Sequence, residues 1–243
     1  MFGAEVTRNI STAESPGRYA QFMRLLVCKI VLSVLFISCN SPGDKNIVRE
    51  NIDSLPAPID STTVYFPFPK YNESQVRENK RSLDSFDFAW YSKMLFAMNE
   101  PILYSYQGTN EIYRFTLLRT FDHPITVRLQ KHGDNIKLFS KVTSGEGGYE
   151  PGQLIWDTVL SIGHTQMDTL NSLINKANFW NIPSKVNYAG RDGAEWILEA
   201  FNKNKFHWAS RWSPTANRDS SFRAVCFYLL NISNAPISSV RIY

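Results

Sequence analysis

The chain has 243 residues, with 26 Lys+Arg against 22 Asp+Glu, 43% hydrophobic and 14% aromatic residues. That hydrophobic fraction excludes wholesale disorder, twelve Gly and twelve Pro exclude collagen-like sequence, and three Cys cannot build a dense disulfide framework. No apolar run reaches the roughly 20 residues of a bilayer-spanning helix, and the net charge of +4 is only mildly basic.

Residues 23–39 read MRLLVCKIVLSVLFISC. Arg24 and Lys29 form a basic start, and Ile30 to Ser38 a short apolar stretch, the order of a secretory signal. Leu35-Phe36-Ile37-Ser38-Cys39 resembles the lipobox of bacterial lipoproteins, with Phe36 where Leu is usual. The resemblance implies cleavage before Cys39 and diacylation of its thiol. Two acyl chains hold a protein on a bilayer where one is marginal, at about 0.8 kcal/mol per buried CH₂. Asn40 stands where Asp signals inner-membrane retention in Gram-negative lipoproteins, so the resemblance implies an outer-membrane anchor facing the periplasm. Residues 1–22 read as a mis-annotated or untranslated extension ahead of a start at Met23, and 23–38 as the signal peptide.

Loss of residues 1–38 removes four basic and two acidic residues and leaves 22 against 20, net +2. No basic run of five and no nucleic-acid motif remains. Cys28 leaves with the signal and Cys39 takes lipid, so only Cys226 stays in the folded part and no internal disulfide is open to it.

From Cys39 to residue 80 the chain reads as a tether, punctuated by Pro42, Pro56, Pro58, Pro67 and Pro69. Val64-Tyr65-Phe66-Pro67-Phe68 is apolar enough to lie along a domain as an edge segment. A globular domain is expected over 81–243. Residues 84–98 place Phe86, Trp90, Lys93, Met94 and Ala97 at helical spacing, with Phe88, Tyr91, Leu95 and Met98 broadening the apolar face. Asp84 can cap the start, and Glu100-Pro101 stops the helix.

Ile102–Tyr106, Glu111–Thr120, Ile125–Lys131, Ile136–Thr143 and Leu154–Ile162 are β-branched or aromatic-rich and read as strands joined by short turns, hence antiparallel. A helix follows at 165–178, with Thr165 and Asp168 as an approximate capping box. Two strands, Glu195–Phe201 and Lys205–Trp212, precede a last helix over 220–231 that buries Phe222, Val225, Cys226 and Leu229. The expected fold class is α+β: one mainly antiparallel sheet of six or seven strands packed by about three helices.

The second hairpin carries the chemistry that the sequence offers. A three-residue loop, Asn202-Lys203-Asn204, sets Glu199 opposite His207 and Glu195 opposite Arg211, on one polar face near Asp192. Either this is a solvated face held by cross-strand ion pairs, or Asp192, Glu195, Glu199, His207 and Arg211 form a polar site in which Glu199 raises the His207 pKa. The Gly145–Gly152 string lacks the Lys-Ser/Thr ending of a phosphate loop and reads as a tight connection with several positive-φ positions. His123, His132, His164 and His207 are scattered, and no metal or cofactor motif is present.

Trp90-Tyr91-Ser92-Lys93, Glu100-Pro101, Tyr113-Arg114-Phe115, Gly147-Gly148-Tyr149, Asp192-Gly193-Ala194-Glu195-Trp196 with Glu199, and His207 with Arg211-Trp212-Ser213-Pro214 resemble an uncharacterised family of bacterial secreted and lipoprotein domains. That resemblance spans roughly 84–233 and implies one domain there, with no activity attached. The expectation is a lipid-anchored envelope protein whose domain binds an envelope protein or a small ligand, with no nucleic acid as partner and no catalytic motif. The alternatives are an envelope hydrolase on the polar hairpin face and a structural accessory of an envelope complex.

Overall fold

Glu111–Arg119 (β1) is the strand around which the rest assembles, and both of its faces are buried. In the computed structural model, which describes residues 54–186, 190 and 192–236, β1 pairs antiparallel with Ile125–His132 (β2) on one side. On the other side it pairs antiparallel with Ala194–Asn202 (β5). Asn135–Thr143 (β3), Leu154–Ser161 (β4) and Lys205–Trp212 (β6) complete a six-stranded sheet in the order β4-β3-β2-β1-β5-β6. The described elements thus form one α+β arrangement, with helices against both faces of an antiparallel sheet.

On the first face, Tyr113, Phe115, Leu117, Val127, Leu129, Leu138, Trp196 and Leu198 form the main core. Helices His164–Lys176 and Ala216–Ile232 cover it with Met167, Leu170, Ile174, Phe222, Val225, Cys226 and Leu229. We label the helices in chain order: Glu73–Arg77 (α1), Lys80–Ala97 (α2), His164–Lys176 (α3) and Ala216–Ile232 (α4). The α3 start is organised by Gln166 rather than by the expected Thr165–Asp168 box: its side-chain oxygen accepts from the Gly163 N–H. Helix α4 begins four residues before the expected Ser220, with a kink at Asp219. Cys226 is buried, and burial pushes its thiol pKa well up, as for an inert core thiol.

Helix α2 covers the second face. Its buried residues are Phe88, Tyr91, Ser92, Met94 and Leu95, continued by Met98. Of the stripe expected to lead, Met94 is buried, whereas Phe86 (69% exposed) and Lys93 face outward and Trp90 and Ala97 are half-buried. Both sets have helical spacing, and the sheet selects the one that fills the space beside Trp208 and Ile197. Asp84 does not cap α2, because the helix starts a turn earlier after Asn79. The α2 end is a Schellman motif: Asn99 has φ 51°, the Glu100 N–H donates to Leu95 O and the Asn99 N–H to Phe96 O.

The stretch 54–80 is not a free tether. Tyr65 and Phe66 are fully buried, and Phe66 meets the rings of Phe88, Tyr91 and Trp208. The Tyr65 N–H donates to Ser92 Oγ, and its hydroxyl donates to the Glu100 carbonyl, both at 2.9 Å. Ile102–Tyr106 is likewise no strand. The Ile102 N–H donates to Pro56 O, and Arg114 takes the Pro101 carbonyl at 2.6 Å, so tertiary partners replace a ladder.

Between α2 and the sheet lies a fully buried ion network. Arg114 makes a bidentate pair with Glu199 at 2.7 and 2.6 Å. Glu100 is shared by Arg114 (3.4 Å), Arg128 (2.9 Å) and Lys141 (3.2 Å). Removing one member leaves a charge in the core without its counter-ion, which costs about 3–5 kcal/mol. Arg114→Met should therefore lose stability on that scale in urea unfolding at pH 7. Lys80→Ala, which removes only the exposed pair with Glu78, should stay within about 1 kcal/mol of the parent.

Candidate functional site

The β5–β6 hairpin closes with a two-residue loop, Lys203-Asn204, both at positive φ (49° and 60°), between the paired Asn202 and Lys205. A loop with two positive-φ residues matches the strand twist, and it shortens the expected three-residue loop by one. The register therefore slips by one. Glu199 pairs with Trp208, Ala200 with His207, Glu195 with Trp212 and Trp196 with Arg211. Glu195 and Glu199 point under α2, whereas His207 and Arg211 lie on the opposite face. The polar site proposed from the sequence is not assembled.

Each of its five residues has other company. Glu199 belongs to the Arg114 pair, where burial pushes its carboxyl pKa up and the guanidinium pulls it back. Glu195 is buried against the hydroxyls of Tyr91 and Ser210, and burial pushes its pKa up to about 7. His207 packs edge-on to Phe179, with Nε2 3.1 Å from the Ile182 carbonyl, and burial lowers its pKa, the reverse of the expected rise. Arg211 lies 3.5 Å from Asp219 and over the Phe222 ring, so it fixes the kinked start of α4. Asp192 lines a cavity.

That cavity, of about 520 Å³, lies along the outward side of α2. Phe86, Ala89, Trp90 and Lys93 form one wall, and Thr120, Gly148, Tyr149, Asp192 and Trp212 the other. Its rim is held by backbone-tight loops. The Trp90 indole N–H donates to the Gly147 carbonyl at 2.7 Å, and the Gly147 N–H donates to Asp122 O. A Cβ on Gly147 would stand 2.6 Å from the Arg119 backbone, so this loop uses glycine for close approach. Only Gly152 of the Gly145–Gly152 string has positive φ, against the several expected. Opposite, Thr120 Oγ1 donates to the Gly193 carbonyl and accepts from the Gly193 N–H. Gly193 lies against the Trp212 indole, where a Cβ would come within 2.9 Å of the ring.

Aromatic surface continues beyond the groove, since Phe121 lies 6.2 Å from the Tyr149 ring and the two are 49% and 56% exposed. The Lys93 ammonium pairs with Glu150 at the rim. Among the described residues no group of three His, Cys, Asp or Glu is placed to hold a metal ion, and no helix is long and apolar enough to cross a membrane. No local sequence pattern marks the groove as a unit: Phe86 and Trp90 read as part of the core stripe of the helix, and the Gly-rich string and Asp192 stand out only separately. No protein-family model matches the chain, and no curated protein matches it.

The Glu195 environment sets a pH dependence. With a folded pKa of about 7 against an ordinary 4.5, the native state keeps a proton that the unfolded chain releases in that window. Stability from this group thus falls as pH rises from 4.5 to 7, by about 3 kcal/mol in all. Glu195→Gln should match the parent near pH 4 and exceed it at pH 8 by an amount of that order in thermal or urea unfolding. Equal stability of the two proteins at pH 8 would refute the assignment. His207 acts in the other direction: its lowered pKa makes protonation below its ordinary 6.5 favour the unfolded chain.

Proposed function

We propose that this chain is a cell-envelope protein, anchored through acylated Cys39 in the outer membrane and facing the periplasm, whose α+β domain holds a ligand in the aromatic groove along α2. The observation that carries the binding part is the groove itself. Its volume of about 520 Å³ lies in the range of small-molecule sites, and its walls combine four aromatic side chains with a few polar groups. Phe86 and Tyr149 remain well exposed, although apolar side chains of that size are stabilised by burial. The anchor rests on the lipobox-like end of the signal sequence, which lies outside the described residues.

A binding role accounts for these features better than hydrolysis does. The carboxylate, imidazole and guanidinium of the hairpin sit on opposite faces of the sheet, and Glu199 is already fully engaged. The aromatic surface from Phe86 across Tyr149 to Phe121 also suits a protein partner docking over the groove.

Two measurements test the two halves. Cys39→Ala should abolish acyl labelling and shift the protein from the membrane to the soluble fraction; unchanged membrane partitioning would refute the anchor. A photoreactive amino acid at Phe86 should give discrete adducts in intact envelopes, whereas the same residue at exposed Ile155 on β4 should not. Equal adducts at both positions would refute the groove as the binding surface.

A further inference from the structure

We infer that the groove along α2 selects a small organic cation with an alkylated, weakly hydrated head, of the quaternary-ammonium class. The inference rests on the groove being the binding site and adds the chemistry of what it takes. Four of its nine lining residues are aromatic: Phe86, Trp90, Tyr149 and Trp212. Ring faces carry negative quadrupole charge, and they attract cations whose hydration shell is easily given up.

The formal charges agree with the rings. Lys93 is the one basic residue lining the groove among the described residues, and Glu150 neutralises it at the rim. Asp192 is exposed and makes no ion pair among the described residues. The described walls therefore carry a net negative charge once Lys93 is discounted, and they supply no free cation for an anionic ligand. Backbone donors are equally committed. The Gly147 N–H, the Gly148 N–H and the Gly193 N–H all donate to Asp122, Thr120 or its hydroxyl.

Shape points the same way. The Trp90 indole is fixed by its bond to Gly147, and the Trp212 indole is packed against Gly193, so both indoles are positioned before any ligand arrives. A small inorganic cation would gain little from ring faces and would demand a ring of oxygen ligands, which the nine lining residues do not provide. An alkylated ammonium demands only π faces and one carboxylate at a distance.

The test uses the acylated full chain in a non-ionic detergent and isothermal titration calorimetry. Choline is compared with 3,3-dimethylbutan-1-ol, which has the same shape and no charge. Choline should bind about tenfold more tightly than the alcohol. Asp192→Asn should weaken choline several-fold and leave the alcohol unchanged, and added salt should weaken choline alone. Tyr149→Leu, an exposed position where substitution spares the fold, should weaken choline as well. Equal affinity for the two probes would overturn the cation class, as would binding of a neutral oligosaccharide or an anion without choline. Binding to phosphatidylcholine vesicles without any to free choline would overturn a soluble ligand. These failures leave the Phe86 adducts intact, whereas loss of those adducts refutes the groove itself.

Discussion

The pairing of Arg114 with Glu199 is the constraint on which the second layer depends. Arg114 stands in the middle of the central strand, on the face that α2 covers, and no water reaches it. A guanidinium there is tolerable only if its counter-ions are delivered in register. Glu199 is its direct cross-strand partner on β5, so the ion pair and the β1–β5 alignment specify each other. Glu100 closes the Schellman turn of α2 with its own backbone N–H, so the same network fixes where the helix ends. The Tyr65 hydroxyl then closes on the Glu100 carbonyl and ties the 54–70 segment to that point. One buried cation thus sets a strand register, a helix terminus and the path of the preceding chain.

The network holds three cations against two carboxylates: Arg114, Arg128 and Lys141 against Glu100 and Glu199. Arg128 also lies 4.0 Å from the centre of the Phe139 ring, and Lys141 donates to the Asn99 carbonyl at 3.0 Å. The surplus positive charge is therefore spread over a π face and a backbone dipole rather than over a third carboxylate. The cluster is closed, with each charge directed at another protein group, which is why it reads as architecture and the groove beside α2 reads as a site.

How much of this was legible in the sequence follows from which signals survive burial. Strands β1 to β4 were placed by their β-branched and aromatic runs and by turns such as Gly133-Asp134, and the main core of α3 and α4 by helical periodicity. The β5–β6 register was not, because β5 is buried on both faces. With Glu195 and Glu199 inside, alternation between polar and apolar residues no longer marks which face is which. The choice then rested on loop length alone, and Asn-Lys-Asn can close a hairpin with two residues or three. Helix α2 is legible as a helix, but its leading face is not, for the converse reason. It has apolar residues on two faces, one for the sheet and one for the groove, and periodicity cannot rank them. The groove itself joins residues 86–93, 120, 148–149, 192 and 212, a contact set that no local pattern encodes.

The two β5 carboxylates show that the surroundings, rather than the residue type, assign the role. Glu195 and Glu199 lie four residues apart on one strand, on one face, beneath one helix. Glu199 meets a guanidinium that can take both of its oxygens, so its charge is matched where it forms. Glu195 meets the Tyr91 and Ser210 hydroxyls, and its cationic neighbour Lys185 is already bonded to Asp84 and Asp87 at 2.7 and 2.5 Å. Hydroxyl donors soften the burial of a carboxylate without neutralising it, so Glu195 keeps its proton to near pH 7. Glu195 is also the cross-strand partner of Trp212, whose ring walls the groove.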